Sequence, residues 1–115
     1  MKKEIQRQIN EKVERAFEAF RRDCIDDRNY DLTCHVQWCR LRNCQASVCT
    51  IGKWKVLRSY NTIVALIDSE TDTLYDFLRM VYGYSSTSCQ HIRKFEKDYC
   101  NRYFGCDVVY TWREA

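Results

Sequence analysis

A chain of 115 residues with three glycines, no proline, 45% hydrophobic and 30% charged residues has the balance of one folded domain, which excludes a disordered chain and a proline-rich linker array. Nineteen basic against sixteen acidic side chains leave a net charge of +3, too little to mark a nucleic-acid protein unless it is clustered. Eight cysteines would suit a secreted disulfide scaffold, but no apolar stretch follows the charged N-terminus and the longest wholly apolar run is Ile63 to Ile67. Neither a signal peptide nor a membrane span is expected, which makes a reducing cytoplasm the expected location.

Ile5, Ile9, Val13, Ala16, Phe17, Phe20 and Cys24 recur at steps of three and four, with charged residues on the other faces. This spacing predicts an amphipathic helix over residues 1–24. Cys24 to Asp31 reads as a connection. From Cys34 the apolar spacing changes to two, which predicts strands over Cys34 to Leu41, Ser47 to Ile51, Trp54 to Tyr60, Thr62 to Asp68 and Thr73 to Phe77. Gly52-Lys53 and the run Ser69 to Asp72 are turn sequences between them, so an antiparallel meander is expected.

Thr87 followed by Gln90 has capping-box spacing, and Ile92, Phe95, Tyr99 and Tyr103 continue as a stripe, which predicts a second helix over residues 87–103. Gly105 suits its C-terminal stop, and residues 107–112 alternate as a closing strand. The expected fold is α+β: one domain over residues 1–115, an antiparallel sheet of four or five strands packed against both helices.

Two stretches carry a resemblance. Ser59, Tyr60, Thr62, Val64 and Ala65 spell SYxTxVA, and Gly83, Tyr84, Ser85, Thr87, Ser88, His91, Ile92 and Phe95 fit a GYSxT(T/S)xxHIxxF pattern. Over about half the chain, from Val48 to Phe104, the sequence resembles a small, functionally uncharacterised family encoded by phages and integrative mobile elements of anaerobic Gram-positive bacteria. The resemblance implies an accessory protein of the bacterial host cytosol and supplies no catalytic residue.

Cys34, Cys39, Cys44 and Cys49 recur every five residues, a looser pairing than most zinc sites use. Side chains five apart on a strand point to opposite faces, so reduced structural thiols are expected, with zinc or a disulfide as alternatives. Cys89 in the first turn of the second helix is a poor partner for His91, because positions two apart on a helix diverge by about 200°. The Gly83 to Ser88 turn with Ser85, Thr87, Ser88 and His91 is a candidate anion or ligand turn, against ordinary capping.

No acidic residue occurs from Leu32 to Ile67, whereas Arg40, Arg42, Lys53, Lys55 and Arg58 stand among His35, Trp38, Trp54 and Tyr60. Arg40, Arg42, Lys53, Trp54, Lys55 and Arg58 are therefore the candidate binding residues, as a basic aromatic face. No catalytic motif and no cofactor signature is found. The expectation is a non-enzymatic accessory protein that binds a host protein or protein–nucleic-acid complex, as an anti-CRISPR-like or other counter-defence factor would. A nucleic-acid-binding accessory factor and a small-nucleotide-sequestering protein are the alternatives; no cofactor and no membrane partner is expected, and a dimer through the first helix stays open.

Overall fold

The computed structural model describes residues 2–26, 30–31, 36–42, 44–83, 85–100 and 105–114. In chain order these form α1 (Lys2–Cys24), β1 (Ile25–Asp26), β2 (Tyr30–Asp31), β3 (Cys39–Arg40), β4 (Ala46–Ile51), β5 (Trp54–Ser59), β6 (Thr62–Asp68), β7 (Thr73–Asp76), α2 (Leu78–Val81), α3 (Ser86–Tyr99) and β8 (Val108–Thr111). The fold is α+β, as the hydrophobic spacing requires. Strands β3 to β8 make one sheet in sequence order, and β1 with β2 makes a small antiparallel ribbon where the sequence reads as a connection.

From β3 to β7 the sheet is the expected meander. Gly52, at φ +57°, takes the first position of the two-residue β4–β5 turn, where a side chain would be strained. β8 departs from the expectation of an antiparallel sheet: it pairs with β7 in parallel. The reason lies in the connection. α3 is fourteen residues, about 21 Å of helix, and carries the chain back along the sheet so that β8 must run in the same direction as β7.

The sheet separates two cores. On one face Val13, Ala16, Phe20 and Cys24 of α1 pack against Cys49, Trp54, Val56, Leu66 and Phe77. Phe17 lies 4.8 Å from Phe77 between ring centroids, and Phe20 meets Trp54 edge-on at 6.2 Å. Ile5, first of the predicted stripe, is exposed. On the other face Ile92 and Phe95 of α3 cover Leu41, Val48, Leu57, Val64, Ala65, Ile67 and Leu74. Each core faces one side of alternating strands, so the molecule has three layers with the sheet in the middle.

Val64 and Ala65 both pack on the α3 side because β6 carries a bulge there. Leu57 pairs with Ala65 while Arg58 pairs with Ile63, which leaves Val64 as the extra residue. The Val-Ala of the strand motif is thus the point where the ladder steps out of register.

Strand boundaries otherwise follow the expected ones closely. Of the predicted strand from Cys34 to Leu41, Cys39 and Arg40 are extended and Cys34 and His35 lie outside the described residues. The second helix ends at Tyr99, and Tyr103 likewise lies outside them. Its cap is Ser85, whose hydroxyl accepts the Ser88 amide at 3.3 Å; the predicted Thr87–Gln90 box is inside the helix instead. Ser85 and Thr87 are both side chains that cap a helix well, and the extended backbone at Ser85 decides between them.

Candidate functional site

The two motif stretches meet in space. Ser59 closes β5 on the α3 face, and Ser88 and His91 occupy the first two turns of α3. The Ser59 hydroxyl lies 2.8 Å from the Ser88 hydroxyl and 2.8 Å from His91 Nδ1, with all three side chains buried. One hydroxyl proton and two lone pairs allow Ser59 to donate to one neighbour and accept from the other, so the trio is mutually satisfied. Burial holds the His91 imidazole below its ordinary pKa, and the Lys94 charge one turn on adds to this; the ring is neutral at pH 7.

A serine within hydrogen-bond reach of a histidine is also the arrangement of an activated nucleophile. Here Ser59 is only 1% exposed, and its hydroxyl is already hydrogen-bonded to both Ser88 and His91. The trio is a fastener between sheet and helix. The candidate ligand turn is therefore divided: Ser85 caps α3, Ser88 and His91 are interior, and Thr87 alone of the four is exposed. Tyr84 lies outside the described residues.

The basic aromatic face does not form as one surface. Strand alternation puts Trp54 and Arg58 on the α1 side of β5 and Lys55 on the α3 side. Trp54 is buried and donates its indole N–H to Asp23 at 2.9 Å. Lys53, in the hairpin turn, meets Asp68 at 3.4 Å and lies over the Trp54 ring. Lys55 donates to the Tyr99 carbonyl at 2.7 Å, where it complements the C-terminal end of α3. Arg58 stacks on Trp38, 4.1 Å from the ring centroid. The absence of acids along the sequence concealed that acids from other segments, Asp23, Asp68 and Asp98, return to these groups through the fold.

Arg40 and Arg42 differ. Both stand exposed at the β3–β4 connection: Arg40 Nε donates to the Cys44 carbonyl at 3.1 Å, and Arg42 forms a two-pronged pair with Asp98, at 2.7 Å from Nε. That guanidinium holds the Asp98 carboxyl below the usual carboxylate range. At the same end of the sheet, the Tyr60 amide donates to the Gln45 carbonyl at 2.8 Å. Tyr60 sits in the β5–β6 turn at φ +55°, a left-handed conformation unfavourable for a bulky side chain, and the residue is 48% exposed. The ring flanks His91 at 5.8 Å between centroids. Sequence reasoning named Tyr60 in the motif but not among the binding residues; nothing in the sequence shows that a non-glycine turn residue is held at positive φ.

The cysteines are scattered. Cys39 is exposed, Cys44 packs toward the α3-side core and Cys49 is buried in the α1-side core; Cys34 lies outside the described residues. The three described members of the candidate zinc set therefore lie apart. Desolvation, with the nearby Cys24 thiol, pushes the Cys49 thiol up to about 12. Cys100 and Cys106, outside that set, are joined in a disulfide, with Cα atoms 5.1 Å apart. Asp72 stands beside this bridge, and the three potential ligand atoms lie within 4.8 Å of one another, but disulfide sulfurs offer no thiolate to a metal. Among the described residues no helix is long and apolar enough to cross a membrane.

No family model, curated protein or solved structure matches the chain.

Proposed function

We propose that the chain is a non-enzymatic binding protein, an accessory factor of a phage or mobile element that docks on a host protein or protein–nucleic-acid complex and blocks it, as a counter-defence factor would. The carrying observation is Tyr60: a large aromatic ring held out to solvent by an unfavourable backbone conformation, with Arg40 and Arg42 exposed on the adjoining connection. Tyrosine and arginine are the side chains that most often dominate binding energy at interfaces, and strained backbone gathers at functional positions. The motif resemblance supports the mobile-element origin and a bacterial cytosolic setting. The spending of Ser59, Ser88 and His91 on one another favours binding over catalysis.

Affinity capture from the lysate of an anaerobic Gram-positive host, with and without nuclease, tests the proposal. A partner that survives nuclease treatment and is lost with Tyr60→Ala plus Arg40→Glu, at unchanged circular dichroism, supports it. Capture indifferent to both substitutions removes this surface from consideration. Capture abolished by nuclease and falling steeply with salt would establish the nucleic-acid alternative instead.

A further inference from the structure

Away from Tyr60, a cleft of about 390 Å³ opens on the α3 face between α2, α3 and the edge strand β8. Its volume is in the range of small-molecule sites. The apolar side is built by Leu74, Leu78 and Ile92, all buried, with Val109 at the strand edge. Three arginines from three different elements line the same space: Arg79 of α2, Arg93 of α3 and Arg113 just past β8. No stretch of sequence brings them together, since they fall 14 and 20 residues apart by number (93 − 79 and 113 − 93).

Two carboxylates also reach the cleft, Asp76 and Glu96, so the lining carries one positive charge in excess, three minus two. Both carboxylates have local work. Asp76 Oδ1 accepts the Leu78 amide at 3.0 Å and so starts α2. Burial holds its carboxyl above the ordinary range, and the Leu78 amide, Arg79 and Arg113 offset part of that. Glu96 packs its carboxylate over Gly105, where even a Cβ would come within 3.1 Å of it.

We propose that this cleft binds a phosphate monoester with a compact apolar body, the body against Leu74, Leu78 and Ile92 and the phosphate among Arg79, Arg93 and Arg113. A carboxylate presents two oxygens and is served by one guanidinium fork. A phosphate dianion presents three, and guanidinium groups arriving from separate directions match it. The apolar floor rejects inorganic phosphate as the preferred ligand, because that ion would leave the floor uncovered. This inference is independent of the Tyr60 surface.

The test is titration of the 15N-labelled full chain with phenyl phosphate, followed by amide shifts and by alkylation of Cys89, which lines the cleft. Expected are saturable shifts centred on Leu74, Cys89, Ile92 and Val109, affinity at least about tenfold above that for inorganic phosphate or phenol, and several-fold slower alkylation of Cys89. Arg93→Glu with Arg113→Glu abolishes all of these. Arg93→Gln alone, on the exposed face of α3, weakens them and serves if the double variant does not fold. Absence of saturable shifts up to about 10 mM, shifts centred elsewhere, binding unchanged in the Arg93→Gln variant, or phenol binding as well as phenyl phosphate would each overturn the proposal.

Discussion

Ser59 and His91 are 32 positions apart in the chain and 2.8 Å apart in the fold, and their hydrogen bond ties the end of a central strand to the start of a covering helix. Ser59→Ala leaves the buried Ser88 hydroxyl and His91 Nδ1 each short of a partner. The expected loss is about 1–3 kcal/mol by urea denaturation, more than the hydroxyl's size suggests. A second substitution, Ser88→Ala, made in that background should cost less than it does alone, which a double-mutant cycle reads directly.

The burial of His91 sets a pH dependence. Burial places the folded pKa of His91 below its unfolded value of 6.5, so between the two the unfolded chain binds the additional proton. Stability is therefore fully present above about pH 6.5 and falls as the pH drops through the folded pKa. Thermal unfolding from pH 8 to pH 5 should show this fall in the wild type, and His91→Gln should flatten it. Parallel curves for the two proteins would remove His91 as its source.

Tyr60→Gly separates stability from binding. Glycine adopts φ +55° without the Cβ clash and so relieves about 1 kcal/mol of strain, against the lost ring contact with His91. The melting temperature should be unchanged or slightly higher, while partner capture is lost. A large drop in melting temperature would mean that the ring is a structural element rather than a contact surface.

Joining Cys100 to Cys106 closes a short loop between the end of α3 and β8. Chain-entropy reasoning gives about 2 kcal/mol for a loop of this length. Reductant should lower the stability of the wild type by about that amount and leave Cys100→Ser plus Cys106→Ser unaffected. Equal sensitivity in both would show that reductant acts at other cysteines.

The helix period from Ile9 to Cys24, the strand alternation through Thr62 to Asp68 and the stripe Ile92–Phe95 were legible because each follows from where apolar side chains must go, one residue at a time. Trp54 and Arg58 were not legible as surface or interior, since a strand has two faces and both are covered here. The direction of β8 was hidden for a related reason. Alternation announces a strand, but the length and course of the helix before it decide whether the strand enters parallel or antiparallel.

The candidate site divides along the same line. Arg40 and Arg42 are exposed, Arg42 in a pair with Asp98, whereas Lys53, Lys55 and Arg58 are half-buried, each against a partner from a distant segment. By itself the sequence determined the elements, the apolar stripes and the motif residues, because these depend on local periodicity and side-chain type. Only the tertiary structure decided that Ser59, Ser88 and His91 form an interior fastener, that Tyr60 is held outward and that Arg79, Arg93 and Arg113 share one cleft. Such juxtapositions are set by how layers stack and strands pair, and no spacing along the chain encodes them.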